Sequence, residues 1–128
     1  MRIVKSVLVK IQVVAFTGLV ATLMLSAAPA SAQSKIPQSE MSYCAAKLTG
    51  QTPGARINLR SGAGTNYQQN GYGVVGDTVH ILRKSGGTPQ DLAATKDRQG
   101  LTWYRVGFPK SGARGWVRQD FITPECSG

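Results

Sequence analysis

From residue 43 onward, apolar and polar residues alternate in short runs that glycine, proline and asparagine separate. The clearest run is 56–60, in which Ile57 and Leu59 alternate with polar side chains. No stretch of ten residues in this region repeats its apolar positions with the 3.6-residue period of a helix. Alternation with a period of two is typical of a strand that buries one face. We therefore predict an all-β domain.

The predicted strands are short, and turn residues lie between them. A loop rich in Gly, Ser and Asn covers 61–71, Gly76-Asp77 forms a tight turn or bulge, and a long polar insertion covers 84–100. Five to six short strands in about 80 residues are typical of a small barrel or of two packed sheets. The strand candidates are 43–48, 56–60, 72–75, 78–83, 101–108 and 115–118.

The first 32 residues have the pattern of a signal peptide. Basic residues begin the segment, an uncharged apolar stretch follows at 11–25, and Ala30-Ser31-Ala32 supplies the small residues of a cleavage site. An uncleaved membrane anchor is the alternative, but a spanning helix needs about 20 apolar residues, and this stretch is shorter. We predict cleavage before Gln33 and therefore an exported protein, secreted or periplasmic, with no stable membrane anchor after cleavage.

The mature chain then has about 96 residues and forms one domain. Residues 33–42 are polar and without periodicity, so we predict a flexible spacer there, followed by the folded domain at 43–126. Three of the 15 basic residues lie in the leader, which leaves 12 against six acidic residues and a net charge near +6. No basic run exceeds two residues, so the sequence favours mild attraction to anionic surfaces and no nucleic-acid partner.

Two cysteines, Cys44 and Cys126, lie near the two ends of the predicted domain. In an oxidising compartment an even number of cysteines indicates disulfide bonds, and two cysteines allow one intramolecular pairing. Two free thiols or an intermolecular bridge are the alternatives. A Cys44–Cys126 bond would close a loop of about 83 residues and stabilise the fold by roughly 4 kcal/mol in the chain-entropy account.

No arrangement of residues in the sequence predicts catalysis. The single histidine, His80, alternates with Val79 and Ile81 and is expected to face outward on a strand. No group of His, Cys or acidic residues has the clustering that a zinc site needs, and the six carboxylates are scattered. Gly62-Ala63-Gly64 precedes no helix, so it does not predict a phosphate loop. We expect no enzyme activity, no cofactor and no metal.

Four blocks of sequence, in order, resemble the bacterial Src-homology-3-like (SH3b) domains. They are Ile57 to Tyr67 (INLRSGAGTNY), Val75 to Val79 (VGDTV), Trp103 to Val106 (WYRV) and Gly115 to Ile122 (GWVRQDFI). Together they cover most of 56–122. The resemblance implies a small SH3-like barrel. The residues of the blocks themselves predict Val75, Trp103 or Tyr104, and Trp116 among the alternating inward positions. Trp103 and Trp116 are also considered for the groove, but one or both should be core. The insertion at 84–100 is longer than the usual connection in that family, which weakens the transfer of a binding site.

Secreted domains that look like this one commonly bind peptidoglycan or its peptides, so the resemblance implies a binding module for the cell wall. Its groove is expected beside the long loop after the first barrel strand. Aromatic side chains give large contact area at low entropic cost. The groove candidates are Tyr67, Tyr72 and Tyr104, with Asn66 and Gln68 as polar neighbours.

The alternative function is a protein-interaction or inhibitor subunit that docks on another secreted protein. The insertion at 84–100 is its expected contact surface. A nucleic-acid-binding barrel is the third hypothesis, and the predicted export argues against it.

Overall fold

The computed structural model describes residues 33–127, in which eight strands form one antiparallel sheet. Two 3₁₀ turns, Gln38–Glu40 and Gln119–Phe121, precede the first and the last strand. Across these residues no helix is long and apolar enough to cross a membrane. The strands are β1 (Met41–Leu48), β2 (Arg56–Arg60), β3 (Gln69–Val74), β4 (Thr78–Leu82), β5 (Ala94–Lys96), β6 (Thr102–Gly107), β7 (Arg114–Arg118) and β8 (Ile122–Cys126).

The strand order is β3-β2-β7-β6-β4-β1-β8, and the short β5 pairs with β6 beyond the end of β4. The sheet curls onto itself and brings β3 close to β1. A Cβ added at Gly73 of β3 would lie only 2.6 Å from the side chain of Leu48 of β1. A single cluster of buried side chains fills the interior and takes residues from six strands. The expected all-β fold is confirmed.

The core has the predicted alternation. On β2 the buried residues are Ile57 and Leu59. On β4 Val79 and Ile81 are buried, and the residue between the two members of each pair is more exposed. Leu82, at the end of β4, is also buried, in a second small cluster. Burying one face of each strand against a common interior is what stabilises a domain of this size. The remaining members of the cluster are Cys44, Ala46, Leu48, Val106, Val117 and Ile122.

The predicted number of strands, five to six, is too low. The structure adds β5, which lies inside the segment predicted as an insertion, and β8, which follows the last predicted run. β5 is exposed at all three positions, so it has no apolar alternation that the sequence could show. β3 also begins at Gln69, inside the predicted 61–71 loop.

The segment expected to be a flexible spacer, 33–42, packs against the barrel in the structure. Ile36 is 1% exposed and forms a small cluster with Met41 and Leu82. The Lys35 backbone N–H donates to the Pro109 carbonyl at 2.7 Å. A single apolar side chain in a polar stretch has no periodicity, which is why the sequence pattern missed this contact.

The predicted disulfide is present. Cys44 of β1 and Cys126 of β8 are bonded, and they lie directly opposite each other in the antiparallel ladder between these two strands. The bond therefore joins the first strand of the barrel to the last. The predicted signal peptide at 1–32 lies outside the described residues and stays a prediction.

Candidate functional site

The outer face of β2, β7 and β6 carries basic and aromatic side chains. Trp116 of β7 lies opposite Arg60 of β2 on one side and Arg105 of β6 on the other. Successive side chains of a strand point to opposite faces, and the neighbouring residue Val117 is in the core. Arg60, Trp116 and Arg105 therefore form a row across the outer face, which we call the Trp116 row.

Two further arginines lie along β7 on the same outer face, and each is paired with a carboxylate of the chain. Arg114 donates to both Glu40 oxygens at 2.8 and 3.1 Å. Arg118 donates to both Asp120 oxygens at 2.6 and 2.9 Å. This second pair lowers the pKa of Asp120, chiefly through the hydrogen bond. Trp116 thus lies between two arginines whose charges are matched within the protein.

The arginines of the Trp116 row have no such partner. Within residues 33–127 the ion pairs are Arg114–Glu40 and Arg118–Asp120, and neither includes Arg60 or Arg105. Arg60 donates instead to the Tyr67 backbone carbonyl at 3.0 Å. Both side chains are only partly exposed. Two arginines without an ion-pair partner among the described residues are therefore the cross-strand neighbours of the half-buried Trp116.

The loop after β2 and the segment around β5 enclose a groove of about 440 Å³, which we call the Tyr67 groove. Tyr67 and Trp116 supply its aromatic surface. The Tyr67 ring lies directly over Gly62, where an added Cβ would be 2.6 Å from the ring. Its other lining residues are Ser61, Gly62, Ala63, Asn66, Thr95, Lys96, Asp97 and Arg98.

A hydrogen bond fixes the far wall of this groove. The Trp103 Nε1–H donates to Asp97 Oδ2 at 2.8 Å, and Asp97 Oδ1 accepts from the backbone N–H groups of Gln99 and Leu101. These bonds, the Trp103 bond first, lower the pKa of Asp97. The Asp97 carboxylate therefore positions the turn that carries Arg98 and directly follows Lys96 of β5.

Two more grooves lie on the outer face. One, of about 220 Å³, is lined by Arg56, Ile57, Asn58, Arg60, Thr65, Trp103, Arg118 and Phe121. The other, of about 460 Å³, has Arg83, Lys84, Arg105 and Arg114 among its lining residues. The three grooves contain three, two and four basic residues, so nine of the twelve after Gln33 line them. The charge that is dispersed along the sequence is concentrated by the fold.

The five predicted groove residues are not all brought together. Tyr67 and Asn66 line the Tyr67 groove, and Gln68 is exposed beside them. Tyr72 is exposed elsewhere, on β3, where the Arg56 guanidinium lies 4.2 Å from its ring centroid. Tyr104 is half-buried and packs against the core, as expected for the inward position opposite Val117.

The prediction that Trp116 faces inward is wrong, since Trp116 is half-buried on the outer face. Val75 is also only partly buried, at the margin of the core. Trp103 is buried at 4% exposure, but it lies on the outer face, where Asp97 covers it. Sequence reasoning weighed Trp116 as a groove residue but assigned it to the core, and it missed the basic residues of the site. The one available indication was the β7 pattern, in which Val117 and Trp116 cannot share a face.

The other side chains that could act in catalysis or metal binding already have partners within the fold. His80 Nε2 lies 2.9 Å from the Ser42 carbonyl, both cysteines are in the disulfide, and Asp91 accepts from Thr88. Across the described range, no three His, Cys, Asp or Glu side chains are grouped as metal ligands.

Comparison with known proteins gives one family and one relative. The bacterial SH3 domain family matches residues 55–123. Serine/threonine-protein kinase D of Synechocystis sp. is 32% identical over 82 residues, which are 64% of this chain and 14% of the kinase. The chain thus spans a small part of that relative. No solved structure gives a significant match.

Proposed function

The chain belongs to the bacterial SH3 domain family, and from that premise we propose that it is an exported, non-catalytic module that binds cell-wall peptidoglycan or its peptides. Domains of this family are typically binding modules. The observation that carries the proposal is the Tyr67 groove, in which Tyr67 and Trp116 meet polar and basic side chains on an open surface. Exposed aromatic rings with polar neighbours are the usual surface for an extended peptide or a sugar chain.

The absence of a catalytic role is part of the proposal. Its support is that the carboxylates at the site already hold the fold together. Asp97 bonds Trp103 and a turn, Asp120 bonds Arg118, and Glu40 bonds Arg114. A general acid or base needs its proton-transfer atom free to reach the substrate. These carboxylates serve as acceptors for the chain's own donors.

Export is the second part of the proposal. The leader pattern at 1–32 supports it, and so does the Cys44–Cys126 bond, because structural disulfides persist in oxidising compartments. The test is to express the full chain in a bacterial host and measure the mass of the product. We expect a mature chain that begins at Gln33 and is oxidised. A cytoplasmic product with the leader attached and both thiols reduced would contradict export.

Binding is tested with purified peptidoglycan sacculi at about 0.1 M salt, a concentration at which exposed charges are already screened beyond about 10 Å. We expect the oxidised protein to sediment with sacculi and Trp116→Ala to sediment less, because the indole contributes contact area. Tyr104→Phe is the control, since Tyr104 lies against the core and not in the groove. A wild-type protein that stays in the supernatant would refute the proposal.

The second candidate is a protein-interaction or inhibitor subunit. The observation in its favour is the 84–100 segment, in which the three residues of β5 are exposed and so are Ser85 and Gln90. Deleting that segment is not a clean test, because it would remove β5 and the Asp97–Trp103 bond. Substituting the exposed Ser85 and Gln90 is cleaner. Capture of a secreted partner that is lost in that variant, without any sacculus binding by wild type, would favour this function.

A further inference from the structure

The Trp116 row has a charge pattern that differs between its two directions. Along β7, the arginines on either side of Trp116 are paired with Glu40 and Asp120. Across the strands, neither Arg60 nor Arg105 forms an ion pair with a carboxylate of residues 33–127. Glu40 lines the same groove as Arg105, but it is paired with Arg114. Cross-strand neighbours have Cβ atoms about 5 Å apart, so the side chains of Arg60 and Arg105 leave the sheet on either side of the Trp116 side chain. Along β7 the arginines are therefore paired with carboxylates of the chain, and across the strands they are available to an external anion.

The structure itself indicates which anion fits. Both paired arginines on this face hold a carboxylate through two hydrogen bonds, from Nε and from a terminal nitrogen. This two-point geometry follows from the planar guanidinium and is specific for planar or phosphate-like acceptors. Arg60 and Arg105 are the same residue type on the same face. An external carboxylate could therefore pair with Arg60 or Arg105 in the way that Glu40 pairs with Arg114 and Asp120 with Arg118.

Partial burial makes the pairing effective. A fully exposed ion pair in water contributes little, because solvent screens it. Arg60 and Arg105 are only partly exposed, and each is a cross-strand neighbour of the half-buried Trp116. A ligand that stacks on this ring would displace more water from both cations and strengthen their attraction to its anionic group.

We propose that the Trp116 row recognises a carboxylate of the cell-wall peptide. Arg105 binds this carboxylate, Arg60 supplies a second cation on the other side of Trp116, and the adjoining apolar part of the peptide stacks on Trp116. This inference rests on the proposed function and deepens it: the ligand is the anionic peptide and not the neutral glycan. Basic residues in the three grooves around the row add a longer-range attraction for the same anionic polymer.

The experiment compares four solid phases with the oxidised protein. They are native sacculi, sacculi whose carboxylates have been converted to neutral amides by carbodiimide coupling to glycinamide, sacculi treated with hydrofluoric acid to remove phosphate polymers, and chitin. We expect strong retention on native and on acid-treated sacculi. Retention should fall about tenfold on amidated sacculi, the loss expected for a charged hydrogen bond, and be absent on chitin.

The variants are Arg60→Gln and Arg105→Gln, and Lys47→Gln is the matched control. Lys47 is exposed on β1 and outside the three grooves, and its change removes the same single charge. We expect Arg105→Gln to weaken retention about tenfold and Lys47→Gln to leave it unchanged. Arg60 also donates a hydrogen bond to the Tyr67 carbonyl, so the thermal unfolding midpoint of Arg60→Gln is measured together with its retention on sacculi. Arg105 has no side-chain hydrogen bond to a described residue, which keeps the test decisive if Arg60→Gln unfolds.

The outcomes distinguish a failure of the carboxylate inference from a failure of the proposed function. Equal retention on native and amidated sacculi would overturn this inference and leave the proposed function standing. Loss of retention after hydrofluoric acid would overturn it in favour of a phosphate polymer, and retention on chitin in favour of the glycan. If Arg105→Gln is retained on native sacculi as strongly as wild type, or if Lys47→Gln loses as much retention as Arg105→Gln, the assignment to the Trp116 row is overturned. No retention on native sacculi would refute the proposed function itself.

Discussion

Tyr67 lies over the backbone of Gly62, and this contact places the ring at the mouth of its groove. A second contact anchors the same loop, because Arg60 donates to the Tyr67 carbonyl. The sequence predicted Tyr67 as a groove residue from its place in the long loop that follows β2. It gave no indication that a glycine five residues earlier is required as the floor beneath the ring.

Gly62→Ala tests this contact. The new methyl group would lie 2.6 Å from the ring, so Tyr67 must move out of the groove. We expect sacculus affinity to fall roughly fivefold, which corresponds to about 1 kcal/mol of lost aromatic contact. Gly71→Ala is the control, because its methyl group would meet Leu59 at an ordinary 3.8 Å. Equal binding by wild type and Gly62→Ala would show that the Tyr67 ring does not contribute.

Asp97 gives a pH-dependent prediction. Its pKa lies below the ordinary value of 3.8 in the folded chain, chiefly because Trp103 donates to its carboxylate. The resulting stabilisation is complete above about pH 3.8, the value in the unfolded chain, and is lost as the pH falls through the lower folded value. Asp97→Asn should therefore be less stable at pH 7 and lose less stability on acidification.

The measurement is urea unfolding followed by tryptophan fluorescence at pH 7 and at pH 3. Wild type is expected to lose stability between these values, and the loss in Asp97→Asn is expected to be smaller. Asp120, whose pKa is also lowered, accounts for part of the remaining acid dependence. Identical pH dependence in both proteins would contradict the role assigned to Asp97.

The element that departs most from the sequence pattern is the segment before β1. Ile36 inserts between Leu82 and the backbone of Gly107, where an added Cβ would lie 2.9 Å from the Ile36 side chain. Arg83 donates to the carbonyls of Gln38 and Met41, and Glu40 pairs with Arg114. The segment therefore covers the outer face beside the Trp116 row and leaves the row itself open.

Ile36→Ala tests the contribution of this segment to stability. Removing a fully buried isoleucine side chain costs about 2 to 5 kcal/mol, and the small size of the cluster predicts a value near 2. Lys35→Ala is the control, because Lys35 contributes its backbone N–H, which the substitution keeps. The free energy of unfolding is measured in urea. A loss in Ile36→Ala no larger than in the control would mean that the segment is only loosely attached.

At the scale of the whole molecule, the disulfide and the sheet act together. Cys44 and Cys126 are 82 residues apart in sequence and direct partners in the β1–β8 ladder. The last strand, β8, pairs with β1, and four of its five residues are exposed. A strand with so little buried surface gains much from a covalent link to its neighbour.

Reduction of the disulfide is expected to lower the free energy of unfolding by roughly 4 kcal/mol, because the unfolded chain regains the entropy of an open loop. Urea midpoints with and without a reducing agent measure the effect, and the Cys44→Ala, Cys126→Ala double variant confirms that it comes from the bond. Unchanged midpoints would show that β8 holds without it.

The sequence by itself determined the β class, the core alternation on β2 and β4, the cysteine pair and the family resemblance. These properties depend on local patterns of period two and on a count of two cysteines, which need no knowledge of distant contacts. Only the tertiary structure decided the site. Arg60, Trp116 and Arg105 come from three strands, and their common row depends on register between residues far apart in sequence. The same folding gathered nine dispersed basic residues around three grooves, because long-range pairing and not sequence proximity sets which charges are neighbours.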